Sequence, residues 1–314
     1  MKAAICTLYE GDYHYGVGVL TNSLYNHGFR GIVWVGYRGD LPPWATDLKE
    51  GEGYHEYTVN LDCAIRFIKL EISKHLTNHK PHFMWDIWEK YQPDLDALFY
   101  FDPDIVNKCR WDFYENWVVR GVSVCGDSWY QVPANHPRKL AWKEFAQSQN
   151  MVIEREFDFH YNGGFVGIPK EYKSFLLTWQ KLIDIAADED YLDLKQPYSH
   201  QHTNTYPYFP NDQSALNLAL MLTPHPITTF GPEGMDFVPG GILMSHATVP
   251  TVKPWRKKLI VNALNGDGPS MTDRLYWQHS QAPIKLYSSI KFKWNQFALK
   301  AGAGIGRIIR RAAI

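Results

Sequence analysis

The sequence lacks most of the features that would settle its class at once. It has four cysteines, Cys6, Cys63, Cys109 and Cys125, and no two of them form a C-x-x-C pair. That argues against a structural zinc site and for reduced thiols in a cytoplasmic protein. It has no excess of either charge: 32 Lys and Arg stand against 33 Asp and Glu, a net charge of −1. A global nucleic-acid footprint is therefore not expected. No apolar run reaches the roughly 18 residues that a spanning helix needs. The chain runs directly into "AAICTL" with no charged and apolar leader before it, so no signal peptide is expected. No internal repeat appears. Two glycine clusters are incomplete. "YGVGVLTN" has Gly16 and Gly18, but Thr21 stands where a dinucleotide fingerprint needs its third glycine. "GAGIG" at 302–306 has no preceding strand and no following Lys-Ser/Thr, so it is not a phosphate loop.

What is present is a core-forming chain with patterned elements. Hydrophobic residues make up 45% of 314 positions, enough for one large α/β domain or two small ones. Aromatics reach 15%, with 12 Trp and 19 Tyr. They serve either an aromatic core or stacking on sugar and base faces. Strand patterns at 2–9 and 31–37 flank a helical pattern at 17–28 that stops at Gly28. The spacing of Ile65, Ile68, Leu70 and Ile72 predicts a helix over 60–76, and 83–91 continues as another helical segment. A strand then ends in "LFYFDPD". Further on, "YNGGFVGIP" (161–169) reads as a strand opened by an Asn-Gly-Gly turn. Helices are expected at 171–187 and 212–222, and a strand at 241–248 leads to His246. The polar, proline-bearing stretch 195–211 between them reads as a long loop. Alternating strands and helices imply a mainly parallel, Rossmann-like sheet with helices on both faces. Ligands in such sheets collect beyond the carboxyl ends of strands.

Asp102 and Asp104 lie at such an end. Carboxylates at i and i+2 of an extended chain point to one side. Together they attract a hard divalent cation such as manganese or magnesium. An Asp-x-Asp alone is a weak signal, because acids at strand ends also cap helices.

Four stretches in order raise its weight. "AICTLYEGDYHYGVGVLTNSL", "LFYFDPDIV", "YNGGFVGIP" followed by "NDQSALNLAL", and "MSHATVPTVKPW" span about residues 3–255. Together they resemble the GT-A glycosyltransferases, most closely the family 8 type that includes glycogenin and lipopolysaccharide galactosyltransferases. The resemblance implies a GT-A domain over 1–260 and a C-terminal extension over 261–314. It implies that Mn2+ or Mg2+ is held by Asp102, Asp104 and His246. That ion would bridge the diphosphate of a UDP-hexose, with Lys253 as a second cation. Thr7, Leu8, Tyr9, Asp12 and Tyr13 match the loop around uracil and ribose. Asn162, Gly163 and Gly164 match the wall around the donor sugar. Asp212 would meet donor hydroxyls, and Gln213 would lie near the anomeric carbon. Lys80, in "HKPHFMW", matches a Lys-Pro that some relatives carry. The family usually has glycine three residues after the histidine. Here that region reads Thr248, Val249, Pro250, and Lys253 follows His246 by seven residues rather than six.

The implied function is transfer of a hexose to a glycan or lipid-linked acceptor with retention. These motifs carry no obvious carboxylate nucleophile, and the Gln213 amide is a poor one. Attack from the face the phosphate leaves is therefore expected. Two other classes stay open. One is a non-catalytic glycan-binding or scaffold protein. The other is a sugar nucleotidyltransferase, disfavoured because "TLYEGDYHYG" has no arginine-rich triphosphate loop. Residues 200–202, "HQH", are either a zinc pair or a polar loop tip. The tail 285–314 carries seven basic residues and no acid, with apolar residues interleaved. It reads either as a helix that lies on anionic lipid at the cytoplasmic face of a membrane, or as a packed helix with a solvated basic side.

Overall fold

A computed structural model describes residues 1–189, 192–196, 212–248 and 252–312. Most of the loop 195–211, with its His-Gln-His, and Val249 and Pro250 lie outside these residues. The chain begins with β1 (Ala3–Glu10), α1 (His14–Asn26), β2 (Gly31–Arg38), β3 (Lys49–Gly51), β4 (Tyr54–Asn60) and β5 (Cys63–Lys69). It continues through α2 (Lys80–Asp86), β6 (Ala97–Phe101), β7 (Ile105–Asn107), α3 (Trp111–Val118), β8 (Val122–Gln131), α4 (Pro137–Ser148) and β9 (Phe159–Pro169). Then follow α5 (Phe175–Asp188), α6 (Asp212–Leu222), β10 (Ile227–Phe230), β11 (Met244–His246), α7 (Leu259–Leu264), α8 (Met271–Gln278) and α9 (Ser289–Ala312).

Among the described residues, nine strands form one mixed sheet in the order β10-β8-β9-β6-β1-β2-β5-β4-β3. The central pairs β6-β1, β1-β2 and β2-β5 are parallel, as is β10-β8. β9 runs antiparallel between β6 and β8. Successive residues of a strand face opposite sides, and β6 divides accordingly. Ala97, Phe99 and Phe101 join one core with α1, α3 and α8. Leu98 and Tyr100 join the other with α2, α4, α5 and α6. A strand covered on both faces is apolar throughout rather than alternating, which is why all five residues of β6 are buried. Tyr276, Trp277, Ala298 and Leu299 belong to the first core, so α8 and α9 pack on the same apolar mass as β1 and β6. Among the described residues no helix is long and apolar enough to cross a membrane.

Three local expectations change. Residues 63–69 form strand β5, not part of a helix. Cys63, Ile65 and Phe67 are buried, while Ala64 and Arg66 between them are only partly so. Arg66 lies over the rings of Trp34 and Tyr54 and pairs with Glu56. That two-residue period, matched to β2 and β4, outweighed the looser helical spacing. Asn162, Gly163 and Gly164 lie inside β9 and do not form a turn. Asp102 and Asp104 are not on extended chain either. β6 stops at Phe101, and the Ile105 amide donates back to the Asp102 carbonyl at 3.1 Å, closing a tight turn.

A small second sheet sets up the site. β11 pairs antiparallel with β7, and the register places His246 opposite Ile105, one residue past Asp104. From the other side α1 presses on the turn. A Cβ on Gly16 would lie 2.1 Å from the Pro103 carbonyl oxygen, so only glycine allows this approach.

Candidate functional site

The turn after β6 brings its two carboxylates to one point. Asp102 Oδ2 lies 3.7 Å from His246 Nε2, and Asp104 Oδ1 lies 3.1 Å from it. The other two oxygens are engaged elsewhere. Asp102 Oδ1 accepts from the Tyr100 hydroxyl at 2.8 Å and faces Lys80 Nζ at 3.1 Å. Asp104 Oδ2 accepts from Lys253, which also donates to the Ala247 carbonyl. Each acid thus keeps one free oxygen aimed at the histidine, and the three ligand atoms lie within 4.8 Å of one another. His246 Nδ1 is buried and has no hydrogen-bond partner. Gly164 forms the floor: a Cβ there would meet His246 Cε1 at 2.5 Å and Asp102 Oδ2 at 3.0 Å. An oxygen-rich set with one imidazole suits Mn2+ or Mg2+.

Most of the charges here are buried, and each ammonium group stands beside a carboxylate. Lys80 donates to the Gly163 carbonyl at 3.0 Å and stands 3.3 Å from Asp212 Oδ2. Burial alone would lower its pKa, but Asp102 and Asp212 outweigh burial and raise it. Lys253 is raised in the same way, against its burial, by Asp104. Burial would push the Asp104 carboxyl up, yet His246 and Lys253 hold it well below the usual carboxylate range. Asp212 moves the other way: burial raises it, and Lys80 opposes only part of that. Its Oδ1 accepts from Thr77 at 3.2 Å. Three carboxylates therefore face two ammonium groups before His246 is counted, which leaves room for one more positive charge.

These groups line a cavity of about 550 Å3. Of the residues singled out in the sequence, Leu8, Tyr9, Tyr13, Lys80, Asp102, Asp104, Asn162, Gly163, Gly164, Asp212, Gln213, His246 and Lys253 all reach it. Thr7 and Asp12 do not. Thr7 is fully buried with its hydroxyl unpartnered, and Asp12 is clamped by the Arg256 guanidinium. Tyr9 has its ring stacked on Tyr37 and its hydroxyl bonded to the Asp40 carbonyl. Tyr13, half-buried against Trp255, is the more open aromatic wall.

No family model matches the chain, and no curated protein matches it.

One group escaped the sequence reading. Asp127, on β8, accepts from Asn162 Nδ2 at 3.1 Å and from Gln213 Nε2 at 2.8 Å, and faces His160 Nδ1 at 3.6 Å. Burial would raise its carboxyl, but His160, Asn162 and Gln213 hold it well below the usual range. Gln213 in turn accepts from the Gly163 amide at 3.0 Å. The available signal was an acid within the strand pattern "VSVCGDSW". Its partners lie 35 and 86 positions away.

Proposed function

We propose that the protein is a metal-dependent glycosyltransferase of the GT-A type. It transfers a hexose from a UDP-linked donor to a glycan or lipid-linked hydroxyl, with retention. One observation carries the reading: the two carboxylate oxygens left free by the lysines converge with His246 at the edge of a cavity of about 550 Å3. A cavity of that size is ordinary for a cofactor-sized ligand. Asp102, Asp104 and His246 would hold Mn2+ or Mg2+. The bound ion supplies neutralisation of charge that grows on the departing diphosphate.

The chain's own groups do the rest. Lys253 stands beside Asp104 and offers a second positive charge at the same phosphates. Tyr13 gives a face for the base. Asn162, Gly163 and Gly164 let the sugar approach the backbone closely. Lys80 ties Asp212 to Asp102 and so fixes the two acids relative to each other. Asp127 is a carboxylate near the sugar end, but each of its oxygens already accepts a hydrogen bond. It positions Gln213 and Asn162 rather than attacking. Retention then follows from attack by the acceptor hydroxyl on the face that the phosphate leaves, with a phosphate oxygen taking the proton.

The test is a donor screen with mass-spectrometric readout, with and without excess EDTA. Transfer that persists in EDTA overturns the metal assignment, and an inverted anomer by NMR overturns retention. Asp104→Asn is the sharper variant. Asp104→Ala would leave Lys253 buried without its partner, whereas Asn keeps the shape. The expected loss is two to three orders of magnitude in rate, about 3–4 kcal/mol of barrier. UDP binding with no transfer to any acceptor would favour a scaffold instead.

A further inference from the structure

α9 has two unlike sides. Its inner side is docked: Ala298 and Leu299 are buried in the core. Gly302 admits a close approach, since a Cβ there would lie 3.1 Å from the Leu259 carbonyl oxygen, and Gly306 lies against Gly268. The outer side carries large apolar groups in solvent. Ile290 is 83% exposed, Ile308 70%, Trp294 59% and Phe297 57%. At 3.6 residues per turn these four positions fall within about 60° of arc. The Trp294 and Phe297 rings are 5.7 Å apart, so part of the stripe is continuous. Lys293, Lys300 and Arg307 are exposed. They recur every seven residues and form a single basic edge beside the stripe. α7, which packs along α9, adds exposed Val261 and Leu264.

We propose that the outer face of α9 is a docking surface for an anionic lipid bilayer. The helix lies in the plane of the interface, with Ile290, Trp294, Phe297 and Ile308 among the acyl chains. Lys293, Lys300 and Arg307 sit at the headgroups. Three features select this occupant. No acid occurs between residues 285 and 314 to oppose an anionic surface. A tryptophan beside a basic edge suits the boundary between headgroups and acyl chains. The helix is not apolar enough to cross, which leaves lying in the interface as its way of meeting a membrane. A second copy of the chain would set like charges side by side along the same edge. The inference does not depend on the transfer reading, and its test needs no donor.

The full chain is mixed with vesicles of phosphatidylcholine alone and of phosphatidylcholine with phosphatidylglycerol, then sedimented. Binding to the anionic vesicles only, weakening as salt rises, is the expected result. At about a fivefold loss per exposed basic residue, the triple variant Lys293→Gln, Lys300→Gln, Arg307→Gln loses about a hundredfold in partitioning. The double variant Trp294→Gln, Phe297→Gln also releases the protein, with its melting temperature unchanged because both side chains are already in solvent. Equal binding to both vesicle types overturns the proposal. So does a stable dimer in solution that Trp294→Gln disperses while the wild-type protein ignores vesicles, which would assign the face to a second copy.

Discussion

The turn after β6 and the outer side of α9 depart from the usual placement of charge and apolar surface in opposite senses. Around the turn, Asp104 and Asp212 are withdrawn from water together with Lys80 and Lys253, and Asp102 is partly so. Along α9, four large apolar side chains stand in it. The first region answers itself: every ammonium group has a carboxylate, and the free oxygens face an imidazole. The second has no answer within the described residues. A buried charge must find its partner in the same chain, because leaving it unpaired costs several kcal/mol. An exposed apolar stripe costs little and can wait for a partner from outside. The contrast therefore separates what the fold needs from what it offers.

The largest effect that would expose this difference is Lys80→Met. It leaves the buried Asp212 and the half-buried Asp102 without their shared cation and is expected to destabilise the fold by about 3–5 kcal/mol, read as a shift in the urea midpoint. A loss below about 1 kcal/mol would mean the charges are not interdependent. Acid comes next, through two histidines that the fold shields from water. His79, close to the start of α2, and His279, at the end of α8, are both pushed down to about 4. Burial is the larger cause in each, with His82 and His27 adding to it. Both are depressed below the unfolded value of 6.5, so the unfolded chain takes up protons first. Stability is full above about pH 6.5 and falls as pH drops toward 4. The melting temperature should track that fall, and His279→Gln should remove only its share of it. A smaller change follows Gly164→Ala. The added methyl meets His246 and Asp102, costs about 1–3 kcal/mol of packing, and should abolish Mn2+ binding by calorimetry. Trp294→Gln is expected to move stability by no more than about 0.5 kcal/mol, which sets the lower end of the scale.

How much of this could be read beforehand varied with the reach of each interaction. The sheet was legible where a strand is covered on both faces. The run Leu98 to Phe101 needs no partner to declare itself. β5 was not, because Ile65, Ile68, Leu70 and Ile72 satisfy a helix loosely, while the Cys63, Ile65, Phe67 alternation has meaning only beside β2 and β4. The cavity residues were legible as motifs on the chain. The way Lys80 and Lys253 each occupy one oxygen of an acid was not, since it depends on approaches across 22 and 149 positions. Asp127 was hidden for the same reason. Its role exists only after β8 and β9 pair and α6 lies across them.

The antiparallel course of β9 has one more consequence, for motion. Loops usually form the walls of sites, and loops breathe. Here the wall made by Asn162, Gly163 and Gly164 is sheet backbone whose amides are held from several directions. The Tyr161 amide donates to Asn217, Gly163 to Gln213 and Gly164 to Asn162, while the Gly164 carbonyl receives the Asp102 amide. Opening that wall requires α6 and β6 to let go together. Its amide protons should therefore exchange on the slow clock of global unfolding, not the fast clock of a loop. That wall is expected to keep its shape whether or not anything fills the cavity.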